Sequence, residues 1–250
     1  MTGPTARIVV LVQARMGSTR LPGKVLADIC GRTMLERVVM RAGRALRPNE
    51  VVVATTGRTE DNAVADEAAR LGLQAFRGDA EDVLDRFARA AEELSADVVV
   101  RVTADCPFLD PDVLDDVVSA LASSSPPADL ASNVIERTYP RGLDVEAVVV
   151  SALKAADREA RRPHQRSHVT PYLYEHPERF RLVSVRGDED LSSERWTVDT
   201  SEDLRFAREV CSMLPRPDHA TRRDVLAVLE SAPQLRAINA GVRQKTTLET

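Results

Sequence analysis

Residues 8–26 read IVVLVQARMGSTRLPGKVL, an unbroken aliphatic run that opens into a loop carrying Gly17, Gly23, Ser18, Thr19 and the cations Arg15, Arg20 and Lys24. A strand that is apolar at successive positions has no polar face to offer water, which is the pattern of a parallel sheet covered by helices on both sides. In such a sheet ligands bind beyond the carboxyl ends of the strands, so this loop lies where a ligand is expected. Glycines let backbone N–H groups approach an anion, hydroxyls add donors and the cations supply charge; together they describe a phosphate cradle. A solvated basic turn is the plainer alternative. Five residues separate Gly17 from Gly23, and Val25 follows Lys24. The loop is therefore not a Walker A motif, which needs a shorter gap and a Ser or Thr for magnesium. Nor does it match GxGxxG.

Working outward, β-branched runs at 51–54, 74–76 and 98–102 alternate with helical patterns at 34–46, 61–71 and 82–94, and Gly72 stands where a helix C-cap glycine belongs. The order βαβαβαβ predicts a mostly parallel sheet flanked by helices with right-handed connections. A helix opens at Pro111 behind the capping Asp110. The stretch SSSPPA at 123–128 reads as an exposed loop, since strand-like runs at 130–134 and 145–150 follow it. From 158 to 181 the chain is basic and punctuated by proline, an excursion from the main sheet. A returning strand at 196–198 and a helix at 201–214 follow. This gives one domain over 1–235: a loop-bearing half to about 125, a small lobe over about 130–190, a returning strand and helices over 194–235, and a polar tail at 236–250 expected to fray.

A chain of 250 residues buries a large core without disulfides or structural metal. Its 34 basic and 39 acidic side chains leave a net charge of -5, so no global basic field draws in nucleic acid or an anionic membrane. Cys30, Cys106 and Cys211 form no CxxC pair, fit neither a secreted disulfide framework nor a zinc finger, and suit a reducing cytoplasm. No apolar run approaches the roughly 18 residues of a membrane span, so the chain reads as neither exported nor embedded.

Further motifs follow in order: FRGDAEDVLDRF at 76–87, RVTADCPFLDP at 101–111, TYPRGLDVE at 138–146, HVTPYLY at 168–174 and RWTVDTSEDL at 195–204. With VQARMGSTRLPGKVL they resemble the SpsF-type cytidylyltransferases of spore coat polysaccharide biosynthesis, themselves similar to CMP-KDO and CMP-sialic acid synthetases. The resemblance spans residues 7–210. It implies a Rossmann-like nucleotidyltransferase sheet of GT-A type with a small inserted lobe for dimerisation and the acceptor. It also implies a homodimer that uses Mg2+ to transfer CMP from CTP to an acidic sugar or related anionic acceptor, releasing pyrophosphate. Another nucleoside triphosphate, a phosphate or phosphonate acceptor, or a nucleotide-binding regulator without turnover are the alternatives.

Asp105 lies just past the fourth strand and Asp199 just past the late one. Locally, Asp105 also reads as a loop cap and Asp199 as a helix N-cap. Magnesium on a nucleotide needs only one or two protein carboxylates, and the resemblance implies that these two supply them. The expected nucleotide contacts are Gln13, Ala14, Arg15, Gly17, Ser18, Arg20, Lys24, Thr103 and Asp105, with catalysis resting on Arg15, Lys24, Asp105 and Asp199. Cys106 reads as packing rather than as a nucleophile. His164 and His168 share a helical spacing, but Gln165 stands where HExxH hydrolysis needs glutamate, which excludes zinc chemistry.

On the acceptor side, Tyr139, Arg141, Asp144, Glu146, Arg166 and His168 are the candidates, since guanidinium groups grip carboxylate and phosphate bidentately. The resemblance implies that Asp144 and Glu146 lie near the acceptor and that HVTPYLY builds the lobe and dimer. Family members commonly carry YPDGLD and EREHVT. Arg141 and the run Gln165-Arg166-Ser167-His168 depart from both and make this side less acidic.

Overall fold

A computed structural model describes residues 6–244. Its strands are β1 Ile8–Gln13, β2 Asp28–Ile29, β3 Arg32–Thr33, β4 Glu50–Thr56, β5 Ala75–Gly78, β6 Val98–Thr103, β7 Leu130–Ser132, β8 Glu146–Val149 and β9 Leu182–Ser184. Its helices are α1 Met34–Ala42, α2 Asn62–Arg70, α3 Val83–Glu93, α4 Pro111–Ser123, α5 Val150–Glu159, α6 Pro163–His168, α7 Pro171–Tyr174, α8 Ser201–Met213 and α9 Arg222–Ser231. The main sheet has the order β5-β4-β1-β6-β8-β7-β9, and β8 alone runs against its neighbours. This is the mostly parallel, helix-flanked sheet expected from residues 8–102. β2 and β3 form a separate small hairpin after the loop.

The alternation along β1 explains its unbroken apolarity. Val10 and Val12 face the layer that contains α1, α4, α8 and α9, whereas Val9 and Leu11 face that of α3, α5 and α7. Both faces are dry, so every position must be aliphatic. In register, Gln13 ends β1 beside Ala54 of β4 and Thr103 of β6. The loop after β1 and the turn bearing Asp105 therefore emerge from adjacent strands at one edge.

Several expectations change. Residues 196–198 are extended but join no strand ladder; the segment passes beyond the sheet edge, tied by an Arg141–Arg195 bridge and by Val198 N–H donating to the Asp105 carbonyl at 2.8 Å. Trp196 is wholly buried there and meets Phe108 edge-on, which accounts for its strand-like apolarity. The run 145–150 ends early because Val150 opens α5, whose apolar face the valines disguise. β9 is short and half-buried, too weak a pattern to read. The segment expected to fray at 236–250 holds defined contacts as far as Gln244: Pro233–Ile238 is a 3-10 helix and the Asn239 amide donates to the Arg195 carbonyl and to Asp203. The rest of that segment lies outside the described residues. Among the described residues no helix is long and apolar enough to cross a membrane.

Candidate active site

Gly23 adopts a left-handed conformation, φ 71°, and its N–H donates to the Met16 carbonyl at 3.0 Å, which closes the loop and starts the short 3-10 turn with Lys24. The turn aims the Lys24 ammonium across the strand ends. It donates to Asp105 Oδ2, to Asp199 Oδ1 and to the Val198 carbonyl, each at 2.8 Å. Arg20 and Arg195 grip the other oxygen of Asp199 at 2.9 and 3.0 Å. Arg20, Lys24, Asp105 and Asp199, far apart in sequence, thus share one site.

The local alternatives for both aspartates fall away. Thr200 caps α8 in a reciprocal box with Asp203, so Asp199 is left free of capping. Asp105 receives the Thr103 hydroxyl at 2.6 Å on Oδ1 and Lys24 on Oδ2. Burial works to raise the Asp105 carboxyl, but the Lys24 ammonium and the hydroxyl of Thr103 outweigh it and hold the group below its ordinary value. Burial lowers Lys24, and the two carboxylates more than compensate, so its ammonium is held above its ordinary value. The Cys106 thiol is buried and pushed well up by burial and by Asp105, which is packing chemistry rather than a nucleophile's.

The site fits a divalent cation in one respect that can be tested on the geometry: a positive charge already bridges the two carboxylates. Among the described residues no cluster of three or more potential ligands exists. Two carboxylates can hold magnesium where water, and in a nucleotide complex phosphate oxygens, complete its shell.

The cradle itself is held from below. Met16 N–H donates to Asp61 Oδ1 at 2.6 Å, and buried Asp61 also takes the Thr56 hydroxyl. Arg15 and Gly17 are exposed, and the Ser18 hydroxyl accepts the Leu21 N–H at 3.4 Å. Beneath lies a group that sequence reasoning missed. Arg86 is wholly buried on α3, donates through Nη1 to the Asp79 carbonyl at 2.7 Å, and keeps Nε and Nη2 without a partner. Burial first, and then the charge of Arg15, lower it to about 10. Its signal was an arginine on the apolar stripe of Val83, Leu84 and Phe87.

The expected acceptor residues do not converge. Glu146 is 4% exposed and takes hydrogen bonds from Arg101, Thr170 and Tyr174, so it faces no open site. Arg166 pairs with Asp82 and Asp157 and locks α6 onto α3 and α5. His168 closes the same helix. Asp144 pairs with Arg137 at 2.5 Å, and Tyr139 is buried under the Arg222 guanidinium. For Glu146, Arg166, Asp144 and Tyr139 a neighbouring charged side chain has claimed the group. Arg141 differs: it lines a cavity of about 340 Å³ with Ser192, Ser193, Arg195 and Arg236, and Arg195 joins that cavity to Asp199. His164 meets Glu175, not a metal partner.

The signature of the cytidylyltransferase family matches residues 9–248. The chain is 32% identical over 241 residues to the spore coat polysaccharide biosynthesis protein SpsF of Bacillus subtilis, covering 87% of this chain and 98% of that one. It is 31% identical over 217 residues to the 3-deoxy-manno-octulosonate cytidylyltransferase of Anaeromyxobacter dehalogenans, covering 80% and 88%. Among solved structures, a cytidylyltransferase from Leptospira borgpetersenii superposes with a TM-score of 0.89 at 31% identity, over 96% of this chain and 99% of that one.

Proposed function

This chain belongs to the cytidylyltransferase family, and on that premise we propose that it transfers CMP from CTP, with Mg2+, to an acidic sugar or related anionic acceptor, releasing pyrophosphate. The observation that carries the reading is the Lys24 ammonium held between Asp105 and Asp199 at the mouth of the glycine-bearing loop. Those carboxylates would hold the divalent ion, which neutralises phosphate charge and acidifies an oxygen bound to it.

The chain's own residues do the rest by position and charge. Backbone N–H groups near Gly17 and Ser18 and the exposed Arg15 receive the triphosphate. Lys24, displaced from the carboxylates, turns to it as a point charge. Arg195 and Arg20 keep Asp199 oriented. Arg141, beside the cavity that Arg195 shares, takes the acceptor's anionic group.

Asp105, Asp199 and Asp203 are all engaged by cations, so none stands ready as a general base. That observation favours, as a second reading, an acceptor oxygen that is already ionised, as in a phosphate or phosphonate. The test is a matrix of the four nucleoside triphosphates against acidic sugars, phosphosugars and phosphonates with Mg2+, read by pyrophosphate release and by product mass. A CMP adduct of an acidic sugar is expected, and it should vanish in Asp105→Ala. No pyrophosphate from any combination overturns the reading.

A further inference from the structure

Glu146, expected beside the acceptor, belongs to a buried chain of hydrogen bonds that runs the other way. Its Oε1 accepts from the Thr170 hydroxyl at 2.7 Å and from the Tyr174 hydroxyl, and its Oε2 pairs with Arg101 Nη1. Arg101 in turn donates through Nε and Nη2 to Gln13 Oε1 at 3.2 and 3.1 Å. A guanidinium carries donors only, so the amide oxygen of Gln13 must face it and the amide nitrogen must face away. Chemistry alone fixes that orientation. Arg101 cannot turn aside without leaving the buried carboxylate of Glu146 uncompensated, a costly arrangement.

Gln13 is the last residue of β1, level with Thr103, and the phosphate loop begins at the next position. Its amide nitrogen has no protein partner among the described residues, and the residue stands at the strand end from which the loop proposed to receive the nucleotide opens. The geometry points to Glu146 as a positioning residue that, through Arg101, holds Gln13 as a donor-only reader of the base and so selects a pyrimidine whose ring N3 accepts a hydrogen bond. This rests on the nucleotidyltransferase reading above. Cytosine N3 is an acceptor; uracil N3 carries a hydrogen and meets the Gln13 donor head-on. Once Glu146 no longer anchors Arg101, the amide is free to turn and offer its oxygen to uracil.

The test is calorimetric titration of the full chain with CTP and with UTP in Mg2+, which needs no acceptor. Folding is checked by melting temperature, and inorganic triphosphate serves as a control for the phosphate side. The wild type should bind CTP at least roughly tenfold more tightly than UTP. Glu146→Gln should narrow that ratio by roughly tenfold while leaving triphosphate affinity unchanged. Gln13→Glu, whose carboxylate only accepts, should also lose the preference for CTP, and it decides the matter alone if Glu146→Gln fails to fold. A folded Glu146→Gln or Gln13→Glu protein that keeps the wild-type ratio overturns the inference, as does a wild type that binds both nucleotides equally. A wild type that binds neither overturns the nucleotidyltransferase reading itself.

Discussion

Lys24 Nζ lies 2.8 Å from Asp105 Oδ2 and 2.8 Å from Asp199 Oδ1, so one ammonium holds together two carboxylates delivered from separate parts of the chain. Like charges brought this close repel unless a cation sits between them. An ammonium and a divalent ion therefore compete for the same oxygens.

That competition predicts an unusual stability pattern for Lys24→Met. In metal-free buffer the variant should lose about 1–3 kcal/mol, less than the roughly 3–5 kcal/mol of a fully buried pair because all three groups keep some exposure. Mg2+ without nucleotide should then raise its melting temperature by several degrees, at roughly 2–4 °C per kcal/mol. The wild type, whose gap is already filled, should move less. Scanning fluorimetry in Mg2+ and in EDTA checks this; equal shifts would mean that the two cations do not share a site.

Asp203 makes a prediction about acid. It is wholly buried and accepts from Arg195, from the Asn239 amide and from the backbone N–H groups of Asp199 and Thr200. Burial alone would raise its carboxyl, but these donors, with Arg195 foremost, hold it below the ordinary value. A depressed carboxyl stabilises the fold above its unfolded value of about 3.9, and that contribution drains away as pH falls through the folded value. Asp105 works in the same sense. Wild-type urea midpoints should therefore drop steeply below about pH 4. Asp203→Asn should be less stable at neutral pH and show a flatter acid limb; parallel curves would place the acid sensitivity elsewhere.

The sheet and the cation-bearing loop were legible because their signals are local. A strand dry on both faces has to be aliphatic throughout, and a loop that meets an anion has to carry glycine and charge. Asp105 was legible as a strand-end carboxylate, and Asp199 as the carboxylate that follows an apolar extended run, although that run joins no strand ladder. The side chains that failed are those whose role is set by a distant partner. Nothing near Glu146 in sequence announces Arg101, and nothing near Arg166 announces Asp82. Trp196–Val198 misled for a related reason, since burial against Phe108 makes a segment apolar whether or not it joins the sheet. The opposite error hid Arg86, whose place on an apolar helical stripe was itself the signal.

Gly142 supplies the third prediction. Its φ is 107°, and a Cβ added there would stand 2.6 Å from the Thr197 nitrogen and 2.7 Å from the Trp196 carbonyl carbon. Both obstacles are backbone, so no side-chain rotation relieves them. The turn is clamped as well, by Arg141 N–H donating to the Glu194 carbonyl at 3.0 Å and Trp196 N–H donating to the Arg141 carbonyl at 2.7 Å. Any displacement passes along Thr197 and Val198 to Asp199, and Val198 N–H is what ties that segment to Asp105. Gly142→Ala should therefore cost at least about 1–3 kcal/mol from backbone strain and lower turnover by tenfold or more, since misplacement of about 1 Å can cost on the order of a hundredfold. Gly72→Ala is the control: φ is 73°, but nothing lies within 4 Å of the new Cβ. It should cost roughly 1–2 kcal/mol for the left-handed conformation alone and leave turnover intact. If the two variants lose the same stability and both keep wild-type pyrophosphate release, the turn at Gly142 does not brace the carboxylate pair.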